Sequence, residues 1–178
     1  PYPKEWERSC HLPNDTAVFV RPVRPVDERL YAAFFARVTA DDLRLRFFTQ
    51  IKEFSHAFIA RMTQLDYARA MAFVAIDRAS GDLLGVARLH ANADYDRAEY
   101  AVLVRSDVKG QGLGWLLMQT LIEYARSEGL RRIEGQVLKE NTTMLTMCRE
   151  LGFAVAGDPH DAGSYLVGLE LAATASKI

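Results

Sequence analysis

The sequence predicts an α+β domain with a central mixed, mostly antiparallel sheet of about seven strands flanked by about four helices. Three observations lead there. A meander of short strands occupies the middle of the chain, a glycine-rich loop joins an apolar strand to an amphipathic helix, and a strand, a second helix and two more strands follow. At 178 residues and 49% hydrophobic, the chain is long and apolar enough to bury one sizeable core.

Residues 1–16 show no clear periodicity and no initiator methionine; they read as an interdomain linker from a longer protein, with the domain at 17–172 and a tail at 173–178. Residues 17–24 form a first strand, ended by Pro22 and Pro25. Residues 27–37 and 52–64 read as helices joined by 39–48. A hairpin of 70–76 and 83–89 turns at Ser80-Gly81-Asp82, and 97–104 follows as the next strand. In the helix of 114–128, Leu113, Leu117, Leu121 and Ala125 lie four apart, joined by Met118 and Ile122, and Gly129 stops it in the left-handed conformation. Residues 131–138 form a strand. Asn141 then opens a helix with Met144, Met147, Cys148 and Leu151 on one face, closed by Gly152-Phe153. Residues 153–156 and 164–171 supply the last two strands.

The most informative stretch runs from Val102 through Lys109-Gly110-Gln111-Gly112-Leu113-Gly114. A strand as apolar as 100–104 is buried on both faces, which sets where the loop begins. Gly110, Gly112 and Gly114 open backbone angles closed to other residues and leave no side chain to hold an anion off the amides. The helix behind them turns its unpaired N–H groups and positive dipole end toward that anion. The loop therefore reads as a pyrophosphate cradle. A nucleotide-triphosphate loop would end in Gly-Lys-Ser/Thr, whereas Trp115 and Leu116 follow Gly114. A dinucleotide fingerprint would place a third glycine at Trp115 and βαβ units on both sides.

Lys109-Gly110-Gln111-Gly112-Leu113-Gly114 resembles the [Gln/Arg]-x-x-Gly-x-Gly/Ala loop of the GNAT superfamily of N-acetyltransferases, with lysine where glutamine or arginine is usual. Asn141 to Leu151-Gly152-Phe153 resembles the second signature of that superfamily, in which an asparagine opens the helix beside CoA. The resemblance implies the fold, acetyl-CoA as co-substrate and no metal. It also implies a bulge in the strand before the loop, where Val102, Leu103 and Val104 offer backbone groups to pantetheine and a nearby amide serves as oxyanion donor. The expected cofactor set is thus Val102, Leu103, Val104, Lys109, Gly110, Gln111, Gly112, Leu113, Gly114 and Asn141.

Acetyl transfer to an amine needs a base, because a lysine amine has a reference pKa of about 10.4 and attacks only when unprotonated. Glu99 interrupts an otherwise apolar strand just ahead of the loop, a setting expected to bury its carboxylate and raise its pKa; it is the candidate base, acting directly or through a water. Many superfamily members place a tyrosine seven residues after the asparagine to protonate the leaving thiolate. Here that residue is Cys148, which shares the apolar stripe and is expected to be core.

A net charge of −1 gives no electrostatic footprint for nucleic acid. Arg44/Arg46 and Arg131/Arg132 read as solvated faces, although such a cation suits the 3′-phosphate of CoA. Two cysteines, Cys10 and Cys148, without metal-ligand spacing suggest a reduced, cytoplasmic protein. No 18-residue apolar run or signal-peptide pattern calls for a membrane.

Runs such as Arg21-Pro22-Val23-Arg24-Pro25, Leu45-Arg46-Phe47-Phe48 and Ala98-Glu99-Tyr100-Ala101-Val102-Leu103-Val104-Arg105-Ser106-Asp107 resemble the catalytic domain of bacterial protein lysine acetyltransferases. That subgroup is often fused to a domain similar to NDP-forming acyl-CoA synthetases, so the resemblance implies such a domain ahead of this one. It also implies a protein substrate, an AMP-forming acyl-CoA synthetase that acetylation turns off, and Glu99 as catalytic glutamate. A small-molecule amine acetyltransferase would use the same loop and base; a non-catalytic acetyl-CoA sensor would need no base.

Overall fold

The computed structural model of the chain describes residues 1–48 and 54–171. Among them, eight strands form one sheet, β1 (Arg8–His11), β2 (Ala17–Pro22), β3 (Ala70–Asp77), β4 (Leu83–Ala91), β5 (Arg97–Val104), β6 (Arg132–Leu138), β7 (Ala154–Asp158) and β8 (Asp161–Glu170). Five α-helices flank it: α1 (Glu28–Phe35), α2 (Ala40–Phe47), α3 (His56–Thr63), α4 (Leu113–Ser127) and α5 (Thr142–Glu150). The spatial order is β1-β2-β3-β4-β5-β6-β8-β7, and only β5 with β6 runs parallel. The expected α+β mixed sheet is present, with one strand and one helix more than the sequence suggested.

The additional strand lies within residues 1–16, which the sequence left as linker. Arg8–His11 pairs antiparallel with β2, Trp6 packs edge-on against Tyr124 at 5.2 Å and Phe73 at 6.0 Å, and Leu12 is buried. Three of the four β1 residues are exposed, so this edge strand carries no alternating apolar pattern to read. The additional helix is α2, within the expected connector 39–48. The Thr39 side chain accepts from the Asp42 N–H, Asp41 and Asp42 fill the first turn, and Arg44 and Arg46 the last, an arrangement that suits the helix dipole. The helix expected at 52–64 is described as α3, capped by Ser55; residues 52 and 53 and the tail 173–178 lie outside the described residues.

Strand alternation gives the sheet two apolar faces. Met71, Phe73, Ala87 and Leu89 pack with Leu113, Leu117, Leu121 and Cys148 of α4 and α5, while Ala72, Val74, Val86 and Leu103 pack with Tyr31, Phe35, Leu43 and Ile59 of α1, α2 and α3. Gly85 lets α4 approach: a Cβ there would lie 3.0 Å from both Leu113 Cδ2 and Leu117 Cδ1. A second glycine shapes the centre of the sheet. The Tyr100 ring lies against the backbone of Gly135 on β6, and a Cβ at 135 would overlap it. The ring also packs edge-on to Phe153 at 5.8 Å.

Gly135→Ala is therefore expected to destabilise the fold by about 1–3 kcal/mol, the usual cost of overpacking a filled core. Denaturant unfolding checks it; an unchanged midpoint would mean that the Tyr100 ring has room to move.

Candidate active site

β5 pairs with β6 over three residues only, Arg97–Glu99 against Arg132–Glu134; beyond Glu99 the two strands part. On its other edge β5 pairs continuously with β4 through Val104. The expected bulge is thus absent from the β4–β5 ladder, whose register is unbroken, and the opening is made by strand divergence. Alternation decides which backbone groups face the gap. The Arg105 N–H donates to Leu84 O at 2.8 Å, so Leu103 and Ala101 also address β4, while the N–H and C=O of Val102 and Val104 point toward the gap. Of the three residues assigned to pantetheine, Val102 and Val104 have free backbone groups, and Leu103 contributes its buried side chain to the core instead.

The gap opens into a cleft of about 800 Å³. Its walls include Glu99, Val102, Leu103, Val104, Lys109, Gly110, Gly112, Leu113, Gly114 and Asn141, so ten of the eleven expected site residues converge there. Gln111 does not line it; its Oε1 accepts from Asn14 Nδ2 at 3.1 Å. Gly110 and Gly112 take positive φ angles of 77° and 91°, as an anion cradle requires. Gly114 does not: α4 begins at Leu113, so Gly114 sits in its first turn with no positive φ, and a Cβ would meet only ordinary contacts at 3.9 Å. The 15-residue α4 then directs its first N–H groups at the loop. Asn141 caps α5, its Oδ1 accepting from the Met144 N–H at 3.2 Å.

Lys109, the residue that departs from the usual loop, donates to Asp42 Oδ1 at 2.7 Å. Burial works to raise the Asp42 carboxyl, but hydrogen bonds from Lys109 and Ser106 outweigh it and hold the group below the usual carboxylate range. Arg44 of the same helix reaches Glu140 across the cleft at 2.6 Å. Helix α2 is thereby tied to both rims. Arg44 and Arg46 are not the solvated face expected from sequence, since Arg44 is paired and Arg46 lines the cleft. Asp42 and Arg88 carry no site signal in the sequence, and Arg46 stands there only within a basic cluster of the kind that suits the 3′-phosphate of CoA. The acid-to-basic run after Thr39 was the available signal for the helix that carries Asp42 and Arg46.

Glu99 lies where the strands part, directly opposite His90 on β4. The burial expected for its carboxylate is not found: the residue is exposed, on the cleft wall, because Ala98 and Tyr100 take the inward side of the pleat. That exposure leaves it open to an incoming amine. Cys148 is fully buried, outside the cleft lining, with its Sγ 3.3 Å from the Tyr100 hydroxyl. Burial raises its pKa, against the opposing pull of the Tyr100 hydrogen bond, so it remains a core thiol. Among the described residues, no three His, Cys, Asp or Glu side chains are grouped to hold a metal ion, and no helix is long and apolar enough to cross a membrane.

A parted pair of strands, a positive-φ glycine loop at a helix N-terminus and a carboxylate at the apex together define an acyl-CoA transferase site of the GNAT type. The chain belongs to the acetyltransferase (GNAT) family, whose family model matches residues 37–153. It is 33% identical over 168 residues to acetyltransferase PA5475 of Pseudomonas aeruginosa, covering 93% of this chain and 89% of that protein. To acetyltransferase Pat of Mycolicibacterium smegmatis it is 28% identical over 135 residues, 75% of this chain and 40% of that protein. The GNAT domain of S. lividans PAT superposes with a TM-score of 0.89 at 24% identity, covering 96% of this chain and all of that one, a likeness that speaks for the fold. The family uses acetyl-CoA, and the cradle and strand gap suit its pyrophosphate and pantetheine.

Gly112→Val is expected to abolish acetyl-CoA binding measured by calorimetry. A branched residue at a φ of 91° is strained, and its Cβ would stand 2.9 Å from Pro13 Cδ. Undiminished affinity would remove the loop from the site. Cys148→Ala should leave turnover within a few-fold; a loss of about 10²-fold, the scale of a missing acid or base, would make the thiol catalytic.

Proposed function

We propose that this chain is an acetyl-CoA-dependent protein lysine N-acetyltransferase that modifies, and thereby turns off, AMP-forming acyl-CoA synthetases, working in the cytoplasm. The observation that carries the reading is Glu99, an exposed carboxylate at the point where β5 and β6 part, within reach of a side chain presented by another protein. The resemblance of the strand around it to bacterial protein lysine acetyltransferases supports the choice of substrate.

Acetyl-CoA supplies an activated acetyl thioester. The chain's own residues do the rest. Val102 and Val104 hold the pantetheine arm by backbone hydrogen bonds, as an added strand would, and Gly110, Gly112 and the first turn of α4 hold the pyrophosphate. Glu99 takes the proton from the lysine amine, directly or through a water. The Val102 N–H, on the gap side of β5, donates to the thioester oxygen as negative charge grows there, in a direction the sheet holds before the substrate arrives.

Glu99→Gln should lower turnover by about 10²-fold or more while acetyl-CoA still binds. Equal loss of cofactor affinity would make the residue structural. The partner is tested with an intact AMP-forming acyl-CoA synthetase against the isolated peptide carrying its catalytic lysine. Docking of two folded surfaces must offset several kcal/mol of lost freedom, which a short peptide cannot do, so efficient acetylation of the protein and poor acetylation of the peptide are expected. Comparable kcat/KM on both would refute surface docking. Acetylation of polyamines with none on any synthetase would move the chain to the small-amine class.

A further inference from the structure

Two arginines in the acceptor half of the cleft have no carboxylate partner among the described residues. Arg88 stands on β4 and Arg46 on α2, and both line the cleft with Glu99. Arg88 donates through Nη1 to Met62 O at 3.0 Å, and Arg46 lies over the Phe47 ring at 4.4 Å; neither forms an ion pair with a described residue.

Their placement follows from register. Arg88 is opposite Ala101 and His90 opposite Glu99, so Arg88 shares a sheet face with the candidate base, one diagonal step away. On its two flanks Arg88 has only alanines, Ala72 and Ala101. Arg46 follows Asp42 by one helical turn; with Asp42 fastened to Lys109 at the phosphate loop, α2 runs from the cofactor end of the cleft toward the base. Burial pushes the Arg46 guanidinium down to about 10, Arg88 adds to the shift by repulsion, and Glu99 opposes it. Arg88 is lowered too, again chiefly by burial. Both remain cationic at neutral pH. Each influences the other's site or that of the buried Tyr31 hydroxyl, which has no hydrogen-bond partner among the described residues.

Two partly buried cations that line this end of the cleft with one exposed carboxylate give it a net positive charge. Removing charge from water without a partner is costly, and an incoming anion offsets that cost. Guanidinium groups match a carboxylate in a planar, two-pronged hydrogen-bond pattern. We propose that Arg46 and Arg88 form an anion subsite that takes a carboxylate carried by the acceptor, so that the acceptor enters as an amine and a carboxylate together. The carboxylate is either the α-carboxylate of a free amino acid or an acidic side chain beside a protein lysine; the recognition chemistry is the same. The proposal rests on the reading of the cleft as an acetyl-transfer site, and its test separates the two.

Release of CoA thiol is followed with the twenty common L-amino acids against their methyl esters and, in a second arm, with lysine peptides bearing Glu or Gln beside the target. In the arm that holds the true source, the carboxylate acceptor should exceed its neutral counterpart in kcat/KM by about tenfold or more. The variants Arg46→Gln and Arg88→Gln should erase that preference while leaving the KM for acetyl-CoA unchanged. A direct titration reads the subsite without turnover: N-acetyl-L-glutamate should bind the complex with CoA, its dimethyl ester should not, and both variants should lose the difference. Equal rates and equal binding for acid and ester would overturn the subsite with the transferase reading intact. Selective binding of the acid with no acetyl transfer to any acceptor would keep the subsite and refute the transferase reading.

Discussion

The site depends on one constraint, the parting of β5 from β6 after Glu99. Parallel strands β5 and β6 begin as ordinary neighbours and hold register for three residues, and the Tyr100 ring lies over Gly135 just where that pairing has ended. Everything past that point follows. The backbone groups of Val102 and Val104 lose their strand partner, and unpaired backbone groups that are not solvated call for a ligand with its own donors and acceptors. Glu99, the last residue before the parting, is carried to the apex of the gap. The same divergence therefore opens the cleft and sets Glu99 on its wall.

Helix α2 converts that open gap into a defined cleft. Its Asp42 holds Lys109 and the Ser106 hydroxyl at one rim, and its Arg44 holds Glu140 at the other. Individually, ion pairs open to solvent screening add little stability. Their value here is positional: three short links made by one two-turn helix orient Arg46 toward the acceptor end, where no other cation on α2 reaches.

Legibility in the sequence tracked periodicity and glycine. The strands and helices from residue 70 onward were readable because their apolar residues alternate or recur at helical spacing, and the loop because Gly110 and Gly112 do there what other residues cannot. Glu99 stood out as a charge in an apolar strand. Three things did not show. β1 is an edge strand with little to bury, α2 is only two turns long with Leu43 its one buried residue, and the parting of β5 from β6 is a relation between distant segments that no local pattern encodes. The expectation of a buried Glu99 failed for a related reason: an apolar strand hides alternate residues, and the register that decides which ones depends on its neighbours.

In the proposed reaction Cys148, buried in the core, serves as no dedicated acid. A tyrosine on α5 would bring a hydroxyl to the leaving sulfur; here the Tyr100 hydroxyl comes from β5 instead and is bonded to the Cys148 thiol within the core. Burial drives the Tyr100 hydroxyl upward, with Cys148 adding to the shift, so the pair stays protonated and neutral. Proton balance does not require either of them. In the proposed reaction Glu99 gains one proton when the amine attacks, the departing CoA thiolate needs one, and a thiol with a reference pKa of about 8.5 is a tolerable leaving group at neutral pH and is protonated by solvent once released. The demanding proton transfer is the removal from the amine, and in this proposal it falls to the exposed carboxylate at the apex of the strand gap.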